Sequence, residues 1–280
     1  MPIHDQSYRH WEGKLKSHSF RWWVVTYEGL KVMLRRKLFV LLILVPAIIL
    51  FFVFGGIIYG VNTYGFIGNL GLINPEFFFR FCFMQTFFIL MICIFAGSGL
   101  IANDLKSNAL QLYFSKPLTR LDYVVGKIAI ILIMLECITL VPGILLFIEH
   151  SVLSQDLTFL RENYWLIGAI FLYSLILNVP ITFLTLALSS ITKNNRYSAI
   201  ILMGIILGSP VLGTLLKATF RADWTNYVPY WYNIGVLGRN IFGLPGNPTA
   251  WHWSAPFLII LTIICIWIMY RKIKGIEIVK

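Results

Sequence analysis

The chain has 280 residues, of which 58% are hydrophobic and only 12% charged, about half the charged share of a soluble domain, which is roughly a quarter. A soluble fold of this size cannot hide so much apolar surface, so composition excludes an ordinary soluble domain and points to a bilayer as solvent. The 23 Lys and Arg against 12 Asp and Glu give a net charge of +11; these charges lie between apolar runs, which argues against a nucleic-acid binder and for membrane topology.

Residues 1–37 are polar and basic and lack a short apolar core followed by a small-residue cleavage site, so a cleavable signal peptide is not expected. Within them, 19–37 sets Phe20, Trp23, Val24, Tyr27, Leu30 and Leu34 at helical spacing, with Arg21, Glu28, Lys31 and Arg35 facing elsewhere. That pattern predicts an amphipathic helix lying in the membrane interface and running into the first span. An apolar helix of about 20 residues crosses the hydrocarbon core. Runs of that length predict spans over about 38–61, 81–102, 128–148, 165–190, 197–216 and 251–270. Trp251, Trp253, Trp267 and Tyr270 sit near the ends of the last, where aromatic belts form. The expected fold is an all-α integral membrane protein of six transmembrane helices, in one domain over 1–280.

Placing residues 1–37, 103–127, 191–197 and the tail on one side gathers 18 Lys and Arg there, against five on the other. The positive-inside rule then makes both termini cytoplasmic. The segment from about Thr219 to Ala250 is rich in aromatics, Gly and Pro, and too broken to span; it can dip back into the membrane where protein covers its backbone. Cys82, Cys93, Cys137 and Cys265 fall inside apolar runs, without CxxC spacing, and read as small packing residues with no disulfide or metal expected. Gly56xxxGly60 and Gly204xxxGly208 read as close-packing positions.

No phosphate-binding GxxxxGK[ST] loop occurs, nor HExxH, nor a GxSxG in a strand-to-helix setting. The chain is therefore expected to be no enzyme, and energy for uphill movement must come from another chain or an ion gradient. Gln85, Glu136 and Asn178 stand inside spans as polar residues, and Glu136 is the acidic one. An intramembrane carboxylate is expensive. Glu136 reads either as a proton or substrate contact, or as a structural group hydrogen-bonded to Gln85 or Asn178.

The segment 103–127, NDLKSNALQLYFSKPLTRLDYVVGK, links spans 2 and 3. It reads as a short amphipathic helix with Leu105, Ala109, Leu112 and Tyr113 or Phe114 as one stripe, ended by Pro117; Thr119 or Asp122 can cap the next helix. Asp104, Leu110, Leu112, Ser115, Pro117, Thr119, Arg120, Gly126 and Lys127 resemble the cytoplasmic loop of the ABC-2 type permeases, the membrane subunits of a family of ATP-binding cassette exporters. Ser107-Asn108-Ala109 replaces the family's usual Gly-Thr region. The basic Arg35-Arg36-Lys37 before a span containing Pro46, the span order, and the Pro-aromatic stretch Tyr227–Gly243 are similar to the family as well.

The resemblance implies a coupling helix between spans 2 and 3 that docks on a separate ATPase chain through Asp104, Leu105, Leu110, Leu112, Phe114, Ser115, Pro117 and Arg120. It implies a central substrate path lined by spans 2 and 5 of both protomers, with Phe83, Met84, Phe87 and Met91 of span 2 as candidates. It further implies two ATPase subunits, a second permease subunit (identical or not), surrounding lipid, no nucleic acid, and the cell (inner) membrane as location. No cofactor is expected in this chain; ATP and Mg belong to the partner. The alternatives are an ion-coupled secondary transporter using Glu136 and a non-transporting membrane scaffold.

Overall fold

A computed structural model describes residues 20–64, 73–114, 118–154, 157–246 and 249–273, and every regular element among them is helical. Six helices are long and apolar enough to cross a membrane, the architecture of a multi-pass membrane protein. They are span 1 (Lys37–Thr63), span 2 (Pro75–Lys106), span 3 (Arg120–Leu153), span 4 (Trp165–Ile191), span 5 (Asn195–Phe220) and span 6 (Trp251–Lys272).

Spans 2 and 3 outrun their apolar cores, for local reasons. Span 2 starts at Pro75 because the Asn74 side chain caps the Phe77 N–H at 3.1 Å and Pro suits the first helical position. Arg80 does not stop it, since its guanidinium lies 2.8 Å from Glu76 one turn back. Span 3 starts at Arg120 behind a capping box: Thr119 Oγ1 accepts from the Asp122 N–H at 3.2 Å, and Asp122 accepts from the Thr119 N–H at 3.1 Å.

Spans 2, 3 and 4 form the centre, with more than half of their apolar windows buried, whereas spans 1, 5 and 6 have under a third buried. The central helices are irregular. Span 2 carries a π-helical turn at Cys93–Gly97, and span 3 breaks at Thr139 (φ −112°, ψ −67°). Three residues on, Pro142 supplies no N–H to the preceding turn. At one end of the bundle Asn62 of span 1 meets His150 Nδ1 of span 3 at 3.0 Å, and the His150 ring stands on Phe159 with centroids 4.3 Å apart.

Helix α1 (Arg21–Leu34) lies at the other end, hereafter the α1 face. It differs from the expected helix at its C-terminal end. Its protein-facing side is Val25, Thr26 and Met33, while Phe20, Trp23, Val24, Tyr27 and Leu34 are exposed. Small residues set this choice. A Cβ on Gly29 would run into Ile130 Cδ1, and one on Gly126 would fall 2.8 Å from Val25 Cβ, so α1 and span 3 touch almost backbone to backbone. The helix does not run on into span 1: the backbone is extended at Arg36 (φ −79°, ψ 92°) before Lys37 restarts it.

The loop read as one amphipathic helix is two. Helix α2 (Ala102–Lys106) closes span 2, and α3 (Ala109–Phe114) follows. Asn108 separates them in the left-handed region (φ 53°), which its short polar side chain tolerates. A short helix α4 (Leu157–Asn163) precedes span 4. Between spans 5 and 6, a 3₁₀ turn (Asp223–Tyr227) leads to helix α5 (Tyr230–Ile241). The Tyr230 N–H donates to Ser209 Oγ at 3.2 Å, about 16 Å back from the end of span 5 at 1.5 Å per residue. Gly238 lets α5 press on the Phe79 and Tyr173 rings.

Candidate functional site at the loop between spans 2 and 3

After the π-helical turn, residues 98–101 leave the helical ladder before α2 begins. Their freed backbone groups need partners, and Ser189 of span 4 supplies them. Its Oγ accepts from the Ile101 and Ala102 N–H groups at 3.0 Å each and donates to the Ser98 carbonyl at 2.7 Å. One hydroxyl thus fastens the joint between span 2 and its loop to the neighbouring helix. Nothing local in the sequence marks this serine, because its partners lie about ninety residues away.

Beyond the joint, Asp104 turns inward. Its Oδ2 lies 2.8 Å from the Lys127 ammonium and accepts a hydrogen bond of 2.7 Å from the Tyr123 hydroxyl. Lys127 also stands over the Tyr123 and Tyr113 rings, 5.3 and 5.9 Å from their centroids. Tyr123 is fully buried, and the Tyr113 phenol is pushed up by burial and then by the Asp104 charge. Asp104, read as a contact residue, and Lys127, read as part of the motif, are therefore an internal tie between the end of span 2 and the start of span 3.

The remaining loop residues divide. Leu110 is buried and Leu105 packs on the core, so neither presents its side chain outward. Leu112 is 72% exposed, Leu121 on the first turn of span 3 is 73% exposed, and Arg120 is exposed. The Phe114 side chain, Ser115 and Pro117 lie outside the described residues. Leu121 was not singled out by sequence, although its position one residue after Arg120 puts it beside the motif. The outward apolar surface here is Leu112 with Leu121.

The substrate-path candidates also divide. Met84 and Phe87 are exposed, whereas Phe83 stacks on Phe79 and Met91 packs against the core. Among the intramembrane polar residues, Gln85 turns away from Glu136 and donates to the Ala47 carbonyl of span 1 at 3.3 Å. Asn178 donates to Thr139 Oγ1 at 2.9 Å. Asn178 and Ser174 face Glu136, but neither closes a well-formed hydrogen bond on it, and both its carboxyl oxygens are buried. Gly56, Gly60, Gly204 and Gly208, expected at helix contacts, meet no neighbouring helix among the described residues, since a Cβ on any of them would have nothing within 4 Å.

No protein-family model matches the chain, and no curated protein matches it either.

Proposed function

We propose that this chain is the permease subunit of an ATP-binding cassette exporter of the ABC-2 type, moving its substrate across the cell membrane with energy from separate ATPase subunits. The observation that carries the reading is the loop between spans 2 and 3. It is fixed to span 4 by Ser189 and to span 3 by the Asp104–Lys127 pair, and it presents Leu112 and Leu121 outward. A force-transmitting contact needs this combination, an apolar anchor on a mount that does not give. The sequence has no phosphate-binding loop of its own, so ATP-driven motion would enter through such a surface. The α1 face is the cytoplasmic side in this reading, and α5 is the segment that re-enters the membrane. The outward glycines of spans 1 and 5 offer close approach to a second permease subunit, and Met84 and Phe87 would then face the path between the two.

Co-purification with the product of a neighbouring ATPase gene, followed by a search for ligands that stimulate its ATP hydrolysis, tests the proposal. Absence of any associating ATPase would count against it. Glu136 favours one second reading, an ion-driven transporter, because both its carboxyl oxygens are buried in the middle of span 3 without a well-formed hydrogen bond among the described residues.

A further inference from the structure

A cavity of about 410 Å³ separates α1 from span 2, a size within the usual range of small-ligand sites. Its origin is the close seating of α1 on span 3, which leaves the helix standing off from span 2. Val32 and Met33 of α1 form one wall, Phe95 and Leu100 of span 2 the other, and the Asp104–Lys127 pair lies at its inner end. Val32 is 54% exposed and Phe95 60% exposed, so both walls present apolar surface with little protein cover.

The charges around the cavity sort themselves. Asp104 is neutralised by Lys127, and Glu28 lies 3.9 Å from Lys31. Arg36, on the extended link between α1 and span 1, lines the mouth. Among the described residues it has no ion-pair partner. An apolar slot with one uncompensated guanidinium at its mouth, beside the exposed aromatic stripe of an interfacial helix, matches an amphiphile bearing a phosphate.

We propose that this cavity holds one phospholipid of the leaflet in which α1 lies, with an acyl chain between Val32 and Phe95 and the phosphate against Arg36. The proposal rests on the chain spanning a membrane and is independent of any ATPase partner.

The test uses the full chain reconstituted into nanodiscs of phosphatidylcholine with phosphatidylglycerol, then native mass spectrometry after transfer to detergent. Wild type should retain one tightly held phospholipid per chain, and so should Ile205→Trp, an outward control on span 5. Val32→Trp, which fills the slot, should lose it. Arg36→Gln, at an exposed position, should hold it about tenfold more weakly. Equal retention by wild type and both cavity variants would overturn the proposal, as would a cavity occupied by detergent alone.

Discussion

The Lys127 ammonium lies 2.8 Å from Asp104 Oδ2, joining the end of span 2 to the start of span 3 across the loop 107–119. Both side chains are largely buried, at 8% and 18% exposure. Removing one partner would strand the other's charge, which typically costs about 3–5 kcal/mol. Lys127→Met should therefore lower the thermal midpoint markedly. The double variant Lys127→Met/Asp104→Asn should recover part of the loss, and a thermal-melt double-mutant cycle measures the coupling.

Ser189→Ala should loosen the joint between span 2 and its loop. Two buried N–H groups lose their acceptor, at about 1–3 kcal/mol each. Hydrogen exchange should accelerate at Ile101 and Ala102 while spans 5 and 6 keep their protection. Unchanged exchange at those two amides would mean that Ser189 does not hold the joint.

The glycines divide into those the fold uses and those it leaves open. Gly238→Ala should destabilise the chain by about 1–3 kcal/mol, because the new methyl would fall 2.5 Å from the Phe79 and Tyr173 rings. At Gly204 and Gly208 a Cβ would meet nothing within 4 Å among the described residues, so Gly204→Leu with Gly208→Leu should leave the melting midpoint unchanged. If span 5 packs on a second subunit, the same pair should reduce dimer in light scattering of the detergent-solubilised protein.

The spans were legible because crossing a bilayer demands a continuous apolar run, and 38–61 or 251–270 contain little else. The cap at Thr119 and Asp122 was legible for a similar reason, since its partners lie three residues apart. The loop was not. Its division at Asn108 depends on a single backbone angle, and the inward turn of Asp104 depends on where Tyr123 and Lys127 arrive from the next helix. The side of α1 that meets protein was also hidden: Gly29 and Thr26 look polar or neutral in a hydrophobic pattern, yet their small size lets span 3 approach. The same blindness explains the GxxxG pairs, whose spacing permits contact without saying with what.

Glu136→Gln should fold with an unchanged or raised melting midpoint, because an amide keeps hydrogen-bonding capacity without placing a charge beside Asn178 and Ser174. Transport should largely survive under the ATP-driven reading. Loss of transport with intact assembly and intact ATP hydrolysis would instead support ion coupling through this carboxyl group.

The most direct measurement is co-purification and transport of Leu112→Asp in the presence of the ATPase partner. Leu112 is 72% exposed, so the substitution should leave the six helices and their melting midpoint intact. Burial of such a side chain at an interface is worth roughly 1.5–3 kcal/mol, which weakens association about ten- to a hundredfold. The variant chain should still insert and dimerise but release the ATPase or uncouple its hydrolysis from transport. Wild-type co-purification together with wild-type transport would contradict the claim that this loop is where ATP-driven motion enters.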